Sequence, residues 1–273
     1  MFETTLDNLV EHLQKDMKIA ENSIVWLHSG IVGLGIINGG IETITEAFSR
    51  ILPRGALVIP SFTYSWCNAE VYSSSTTECT KMGGYGKVAW KDSRFTRNSN
   101  PNFAISVMDQ TPDKRVENAL HLDETKWTCF GNGSVFDQMY RLSLDMPGLI
   151  VLLGGAHNDV VFRSSFIHYV EEKTSVPYRY IKTFKNPQNS EETIDQLVRF
   201  ISKDEYNDIN GDIPLTYSFP IEAKYLKFGE DLIKNKLILQ SPFGYSSTKA
   251  VSILTLCDWL EDKLRQDPLY LLN

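Results

Sequence analysis

The segment Phe166-Ile-His168-Tyr-Val-Glu171-Glu172 sets a histidine three and four residues ahead of two carboxylates. On a helix those positions share one face. Glu171 or Glu172 can then hold the His168 imidazole in one tautomer and leave the other ring nitrogen to take a proton. That is the base and orienter of a catalytic triad without its Ser or Cys. Such a pair suits activation of a nucleophile that the substrate itself brings. The same spacing also describes an exposed His–Glu contact worth a few tenths of a kcal/mol, so the motif needs support from the rest of the chain.

A second candidate is the loop His28-Ser29-Gly30-Ile-Val32-Gly33-Leu34-Gly35. Its backbone amides could receive the phosphates of a cofactor. Its glycines do not follow the dinucleotide GxGxxG spacing and no Walker Lys-Ser/Thr pair is present, so it also reads as a tight connection. Arg97, in Arg97-Asn-Ser-Asn-Pro101, could grip phosphate or carboxylate bidentately, or form a surface ion pair. Phe130-Gly-Asn-Gly-Ser134 is a turn signal whose Ser134 can cap a helix over 135–142. His12 falls on the polar side of the first helix, and His121 and His157 fall in loop-like contexts. The sequence has no HxH, HExxH or Cys/His cluster, and so predicts no metal. A hydrolase triad lacks its GxSxG elbow.

The elements that must position these residues follow an α/β grammar. Leu6, Leu9, Val10, Leu13 and Met17 recur at helical spacing. A strand at 24–27, the glycine loop, a helix over 41–51 and a strand at 56–59 come next. Residues 61–100 are rich in Ser, Thr, Gly and aromatics without a sustained period. A loop of that length in a compact domain is usually functional, and its aromatics, among them Tyr64, Trp66, Tyr85 and Trp90, read as a substrate-binding surface. Strands are expected at 103–107 and 149–153, with Asn158 or Asp159 as cap of the helix carrying His168. Further on, 178–184 alternates like a strand and 185–193 is a polar connector. Helices are expected over 221–236 and 252–265, and a strand at 237–239. The chain reads as one catalytic unit over 1–273, with a second lobe that would begin near 178.

With 273 residues, 42% hydrophobic and 22% charged, the chain is long enough for a large core. A formal charge of −7 argues against nucleic-acid binding. No apolar run approaches the roughly 20 residues that span a bilayer, and the first residues lack the basic and apolar regions of a signal peptide. Cys67, Cys79, Cys129 and Cys257 lie far apart, in neither a zinc pattern nor a disulfide framework. The cytoplasm is the expected address.

Taken in order, six segments resemble the aminoglycoside 3-N-acetyltransferase family: 28–35, Gly55-Ala-Leu-Val-Ile-Pro60, 97–101, 130–134, Leu152-Leu-Gly154, and Phe166-Ile-His168-Tyr-Val-Glu171. The resemblance implies a layered α/β/α fold with a central mixed sheet. It implies that loop 28–35 (His28, Ser29, Gly30, Val32, Gly33, Leu34, Gly35) receives the pyrophosphate of coenzyme A, with Arg97 near it. His168 and Glu171 would act on an acceptor amine, by direct attack on acyl-CoA in a ternary complex. Asn98, Asn100, Ala104 and Val135 depart from the family's usual residues and put the acceptor's identity in question. Within the family the chain looks most like the branch that acylates nucleotide-linked amino sugars, anthrose biosynthesis among its pathways, with a dTDP-linked 4-amino-4,6-dideoxyglucose as acceptor. The alternatives are an aminoglycoside antibiotic as acceptor, or a non-catalytic protein that binds a nucleotide sugar or coenzyme A.

Overall fold

Ile24, Val25, Trp26 and Leu27 form a run without a polar side, and all four are buried, as expected of a strand covered on both faces. They begin the sheet that organises the chain. The computed structural model describes residues 1–80, 82–120, 127–155, 162–210 and 218–272. The first part contains β1 (Glu3–Thr4), α1 (Leu6–Glu11), β2 (Ile24–Ser29), β3 (Ile36–Ile37), α2 (Glu42–Ile51), β4 (Ala56–Pro60), α3 (Gly84–Ala89) and β5 (Thr96–Arg97). Then come β6 (Ile105–Asp109), α4 (Arg115–Leu120), β7 (Trp127–Thr128), α5 (Val135–Leu142), β8 (Gly148–Leu153) and α6 (Phe166–Lys173). The last part holds β9 (Arg179–Lys185), β10 (Thr193–Arg199), α7 (Lys203–Asn210), α8 (Tyr225–Lys234), β11 (Leu239–Phe243), β12 (Ser246–Ser252) and α9 (Ile253–Gln266).

The main sheet has the order β11-β12-β8-β2-β4-β6-β5. β2 runs parallel to β4 and β8, while β6 and β12 join antiparallel, so the sheet is mixed. Alternate side chains define its two faces. Trp26, Val58, Ile105, Val107, Ile150 and Leu152 pack with Phe136 and Met139 of α5, Phe166 and Val170 of α6, and Leu256 and Leu260 of α9. Val25, Leu27, Leu57, Ile59, Val151 and Leu153 pack with Leu9 of α1 and with Ile44, Phe48 and Ile51 of α2. The result is the expected α/β/α layering. A separate sheet, β7-β10-β9, carries the β9–β10 hairpin, after which β11 and β12 complete the main sheet.

Several expectations shift for local reasons. β6 starts at Ile105 rather than 103, because Asn100 Oδ1 accepts from the Asn102 and Phe103 amides and turns the chain there. The helix expected over 221–236 is α8, shorter at both ends. β10 and β12 went unmarked because polar residues interrupt both. The expected caps Asn158 and Asp159 lie outside the described residues, as do His121 and His157; α6 begins after Ser165. His12 is buried instead of facing solvent: Nδ1 lies 2.8 Å from Asp16, Nε2 lies 2.9 Å from the Thr248 hydroxyl, and the ring stacks on Phe243. That side of the first helix meets the β11–β12 strands.

Candidate active site

β2 is the point where the sheet order diverges, with β4 on one side and β8 on the other, and open α/β sheets bind ligands beyond the carboxyl ends of such strands. A cleft of about 910 Å³ lies there. His28 and Ser29 from the end of β2, Pro60 from the end of β4, and Met82, Gly83 and Gly86 line part of it. His168 lines it too, together with Tyr180 and Lys182 of the hairpin.

The α6 turn joins His168 to Glu171 rather than to Glu172. Nδ1 of His168 lies 2.7 Å from Oε2 of Glu171, whose side chain has no solvent exposure. An ionised carboxylate only accepts, so Nδ1 is the donor, and in the neutral ring the lone pair is then on Nε2. Phe130 packs edge-on against the imidazole, its centroid 5.2 Å away. Two further contacts settle the buried carboxylate. Arg179 Nε lies 3.3 Å from Glu171 Oε2, and Arg179 Nη2 donates to Oε1 at 3.5 Å. Burial alone would push the Glu171 carboxyl up; the Arg179 charge and the His168 hydrogen bond outweigh it and hold the group below the usual carboxylate range. Pro177 follows the end of α6, and β9 begins with Arg179, which brings its guanidinium back onto Glu171. No spacing rule announces that return, and the sequence reading passes over Arg179.

Glu172 turns elsewhere, toward Thr128 and Gly131; a Cβ on Gly131 would lie 2.3 Å from its Oε1. Burial and the nearby Asp195 charge push the Glu172 carboxyl up to about 7.

The remaining site expectations divide. His28 and Ser29 line the cleft, and Nε2 of His28 accepts from the buried Trp26 indole at 3.0 Å. The rest of loop 28–35 serves the backbone. Leu34 is core, Val32 is exposed, and neither Gly30, Gly33 nor Gly35 lines the cleft. A Cβ on Gly33 would lie 2.2 Å from the Gly154 oxygen, and one on Gly154 would lie 2.5 Å from the Gly30 oxygen, so the ends of β2 and β8 interlock through bare backbone. Tyr64 and Tyr85 line the cleft, though the Tyr85 hydroxyl is bonded to Thr45. Trp66 packs into the core. Trp90 covers Arg97, whose guanidinium donates to the Ser61 and Thr77 carbonyls at 2.6 Å each and lies outside the cleft. Among the described residues no cluster of His, Cys, Asp and Glu suits a metal ion. None of the described helices is long and apolar enough to cross a membrane.

A family model for aminoglycoside 3-N-acetyltransferase matches residues 26–265. No curated protein matches the sequence. Among solved structures, the apoenzyme of aminoglycoside acetyltransferase AAC(3)-IVa is similar at a TM-score of 0.74 and 17% identity, over 100% of this chain and 93% of that one. The YokD protein from Bacillus subtilis gives 0.70 at 16% identity, over 98% and 95%. AAC-IIIb in binary complex with CoASH gives 0.71 at 14% identity, over 97% of both. Family and architecture together make this protein an acyltransferase. The chain belongs to the aminoglycoside 3-N-acetyltransferase family and is an acyl-CoA-dependent N-acetyltransferase of that family.

Proposed function

We propose that this protein transfers a short acyl group from acyl-CoA to the amine of a nucleotide-linked amino sugar, with His168 as general base and Glu171 as its orienter. The observation that carries the reading is the 2.7 Å contact between His168 and a fully buried Glu171 at the wall of a ligand-sized cleft. The amine nitrogen attacks the thioester carbonyl carbon, the new C–N bond forms, and the C–S bond breaks. His168 Nε2 takes the proton from nitrogen and passes it to the departing thiolate. General-base help of this kind is worth about 10²–10⁴-fold.

We assign the pantetheine arm to one part of the cleft. Gly83 and Gly86 line it without side chains, beside His28, Ser29 and Met82, and a Cβ on Gly83 would come within 3.0 Å of the Ser29 carbonyl. His28 and Ser29 are the residues of the glycine loop that we assign to the donor. Direct transfer is favoured over an acyl-enzyme because Cys67, the thiol that lines the cleft among the described residues, is pushed up to about 11 by burial and is a poor nucleophile at neutral pH. The acceptor reading, a dTDP-linked 4-amino-4,6-dideoxyglucose, is supported by rings suited to a base or sugar: Phe62, Tyr64, Tyr180, Phe184 and Tyr225 all line the cleft.

A screen of acyl-CoA donors against dTDP-amino sugars and aminoglycosides, read as thiol release, tests this. We expect release with a dTDP-amino sugar, and a fall of about 10²-fold or more in kcat for His168→Ala with coenzyme A affinity intact. Wild-type turnover in that variant would remove the dyad from the chemistry.

A further inference from the structure

The charges along the cleft do not follow those of the chain. The protein is acidic, with a formal charge of −7, yet the described lining residues include four Arg or Lys against two carboxylates. Glu205 accepts from the Tyr180 hydroxyl and, at 2.8 Å, from the Ile201 amide. Glu222 is paired with Arg199. The cations are treated differently. Arg179 belongs to Glu171 and Arg199 to Glu222, but Arg163 and Lys182 have no carboxylate within ion-pair distance among the described residues, although Lys182 lies close enough to Glu205 to interact with its charge. Each is braced by a ring instead. The Arg163 guanidinium carbon lies 4.5 Å from the centroid of Tyr225, and Lys182 Nζ lies 5.6 Å from that of Phe184. A ring face holds a cation in place while leaving its hydrogens to a ligand.

We propose that Arg163 and Lys182 form an anion-binding face of the acceptor subsite, and that the group it takes is a diphosphate. The planar guanidinium can present two parallel N–H bonds to phosphoryl oxygens, and the ammonium adds a point charge. Both residues belong to the segments that carry the dyad. Arg163 precedes α6 by two residues of lead-in, and Lys182 follows Arg179 on β9. Neither belongs to the strand ends and glycines assigned above to the donor. A polycationic acceptor would meet more cations than carboxylates among the described residues that line the cleft.

This inference deepens the acyl-transfer reading, on which it rests for placing the amine at His168. Coenzyme A also carries a diphosphate, so the test must separate donor from acceptor. Arg163→Gln and Lys182→Gln are compared with wild type for three substrates: the acyl-CoA, the nucleotide-linked amino sugar, and the same amino sugar without its nucleotide. Each variant is expected to lose about ten-fold in its preference for the nucleotide-linked over the free sugar, through KM and not kcat. The KM for acyl-CoA should stay put. In parallel, dTDP and UDP are titrated calorimetrically with coenzyme A saturating; both should bind wild type and bind each variant about ten-fold more weakly. A rise in the acyl-CoA KM instead would assign these cations to the donor, and an unaltered sugar preference or absent dTDP binding would overturn the proposal. If no acyl-CoA yields thiol with any acceptor, the acyl-transfer reading fails, while the dTDP and UDP titrations still decide the anion face.

Discussion

Arg97 and Arg179 are both withdrawn from water, and the protein satisfies them in opposite ways. Arg97 gives its hydrogens to the carbonyls of Ser61 and Thr77 and to the Ser61 hydroxyl, under the Trp90 ring. Among the described residues it meets dipoles and no carboxylate, and what it secures is the course of the 61–80 segment. Arg179 faces the buried carboxylate of Glu171, which in turn holds His168. A charge met by dipoles fixes shape; a charge met by a titrating pair fixes protonation. With Arg179 present, Glu171 has a permanent counter-ion and does not need an imidazolium beside it, so a neutral base is compatible with a charged orienter.

The sharpest way to break this contrast is Arg179→Met. Removing one partner of a buried ion pair costs about 3–5 kcal/mol, and here the loss should also be visible in catalysis. Without the guanidinium, the Glu171 carboxyl loses the main cause that holds it down against its burial. Losing the Arg179 charge is therefore expected to move the acidic limb of the kcat profile to higher pH, the direction in which the Glu171 carboxyl shifts without it. A stability loss with an unmoved profile would make Arg179 a structural residue like Arg97. The counterpart, Arg97→Met, leaves carbonyls buried and unpaired. It should lower stability by about 2–3 kcal/mol in denaturant titration and leave the shape of the pH profile unchanged.

Glu172→Gln is the smallest effect and sharpens the choice between the two adjacent acids. Its folded carboxyl is raised from 4.5 to about 7, so the folded state binds the proton more tightly than the unfolded one. Stability from this group is then full below pH 4.5 and is lost as pH rises toward 7. Gln cannot ionise, so the variant should gain on the order of 1 kcal/mol over wild type at pH 8, discounted for its partial exposure, and little at pH 4. Thermal melts at the two pH values read this directly.

How much of this was legible in the sequence follows from the range of each interaction. The α/β alternation showed itself in apolar runs such as 24–27 and 149–153, the layering only in the family resemblance, and the cap at Ser134 in a turn signal followed by a helical pattern. The Ser134 hydroxyl does accept from the Asp137 amide, and α5 spans Val135–Leu142. The His168–Glu171 contact was legible for the same reason, since one helical turn makes it. The choice between Glu171 and Glu172 was carried only by family resemblance, because both spacings suit a helix. Arg97 stood out as a cation, yet its partners are carbonyls of residues 61 and 77, which leave no trace in side-chain pattern. Arg179 was invisible because its importance comes from the burial of Glu171, a property of the assembled fold.

The interlocked glycines at the ends of β2 and β8 carry a consequence for how such a protein can change over generations. Any side chain introduced at Gly33 or Gly154 collides with main chain, so that junction has no neutral neighbours in sequence space. The β9–β10 hairpin is the reverse: every residue of β9 is at least partly open to solvent, and Tyr180, Lys182 and Phe184 sit in a sheet separate from the main one. Libraries that randomise 180, 182 and 184 should yield folded proteins with altered acceptor range, whereas libraries at 33 and 154 should yield few folded proteins of any kind.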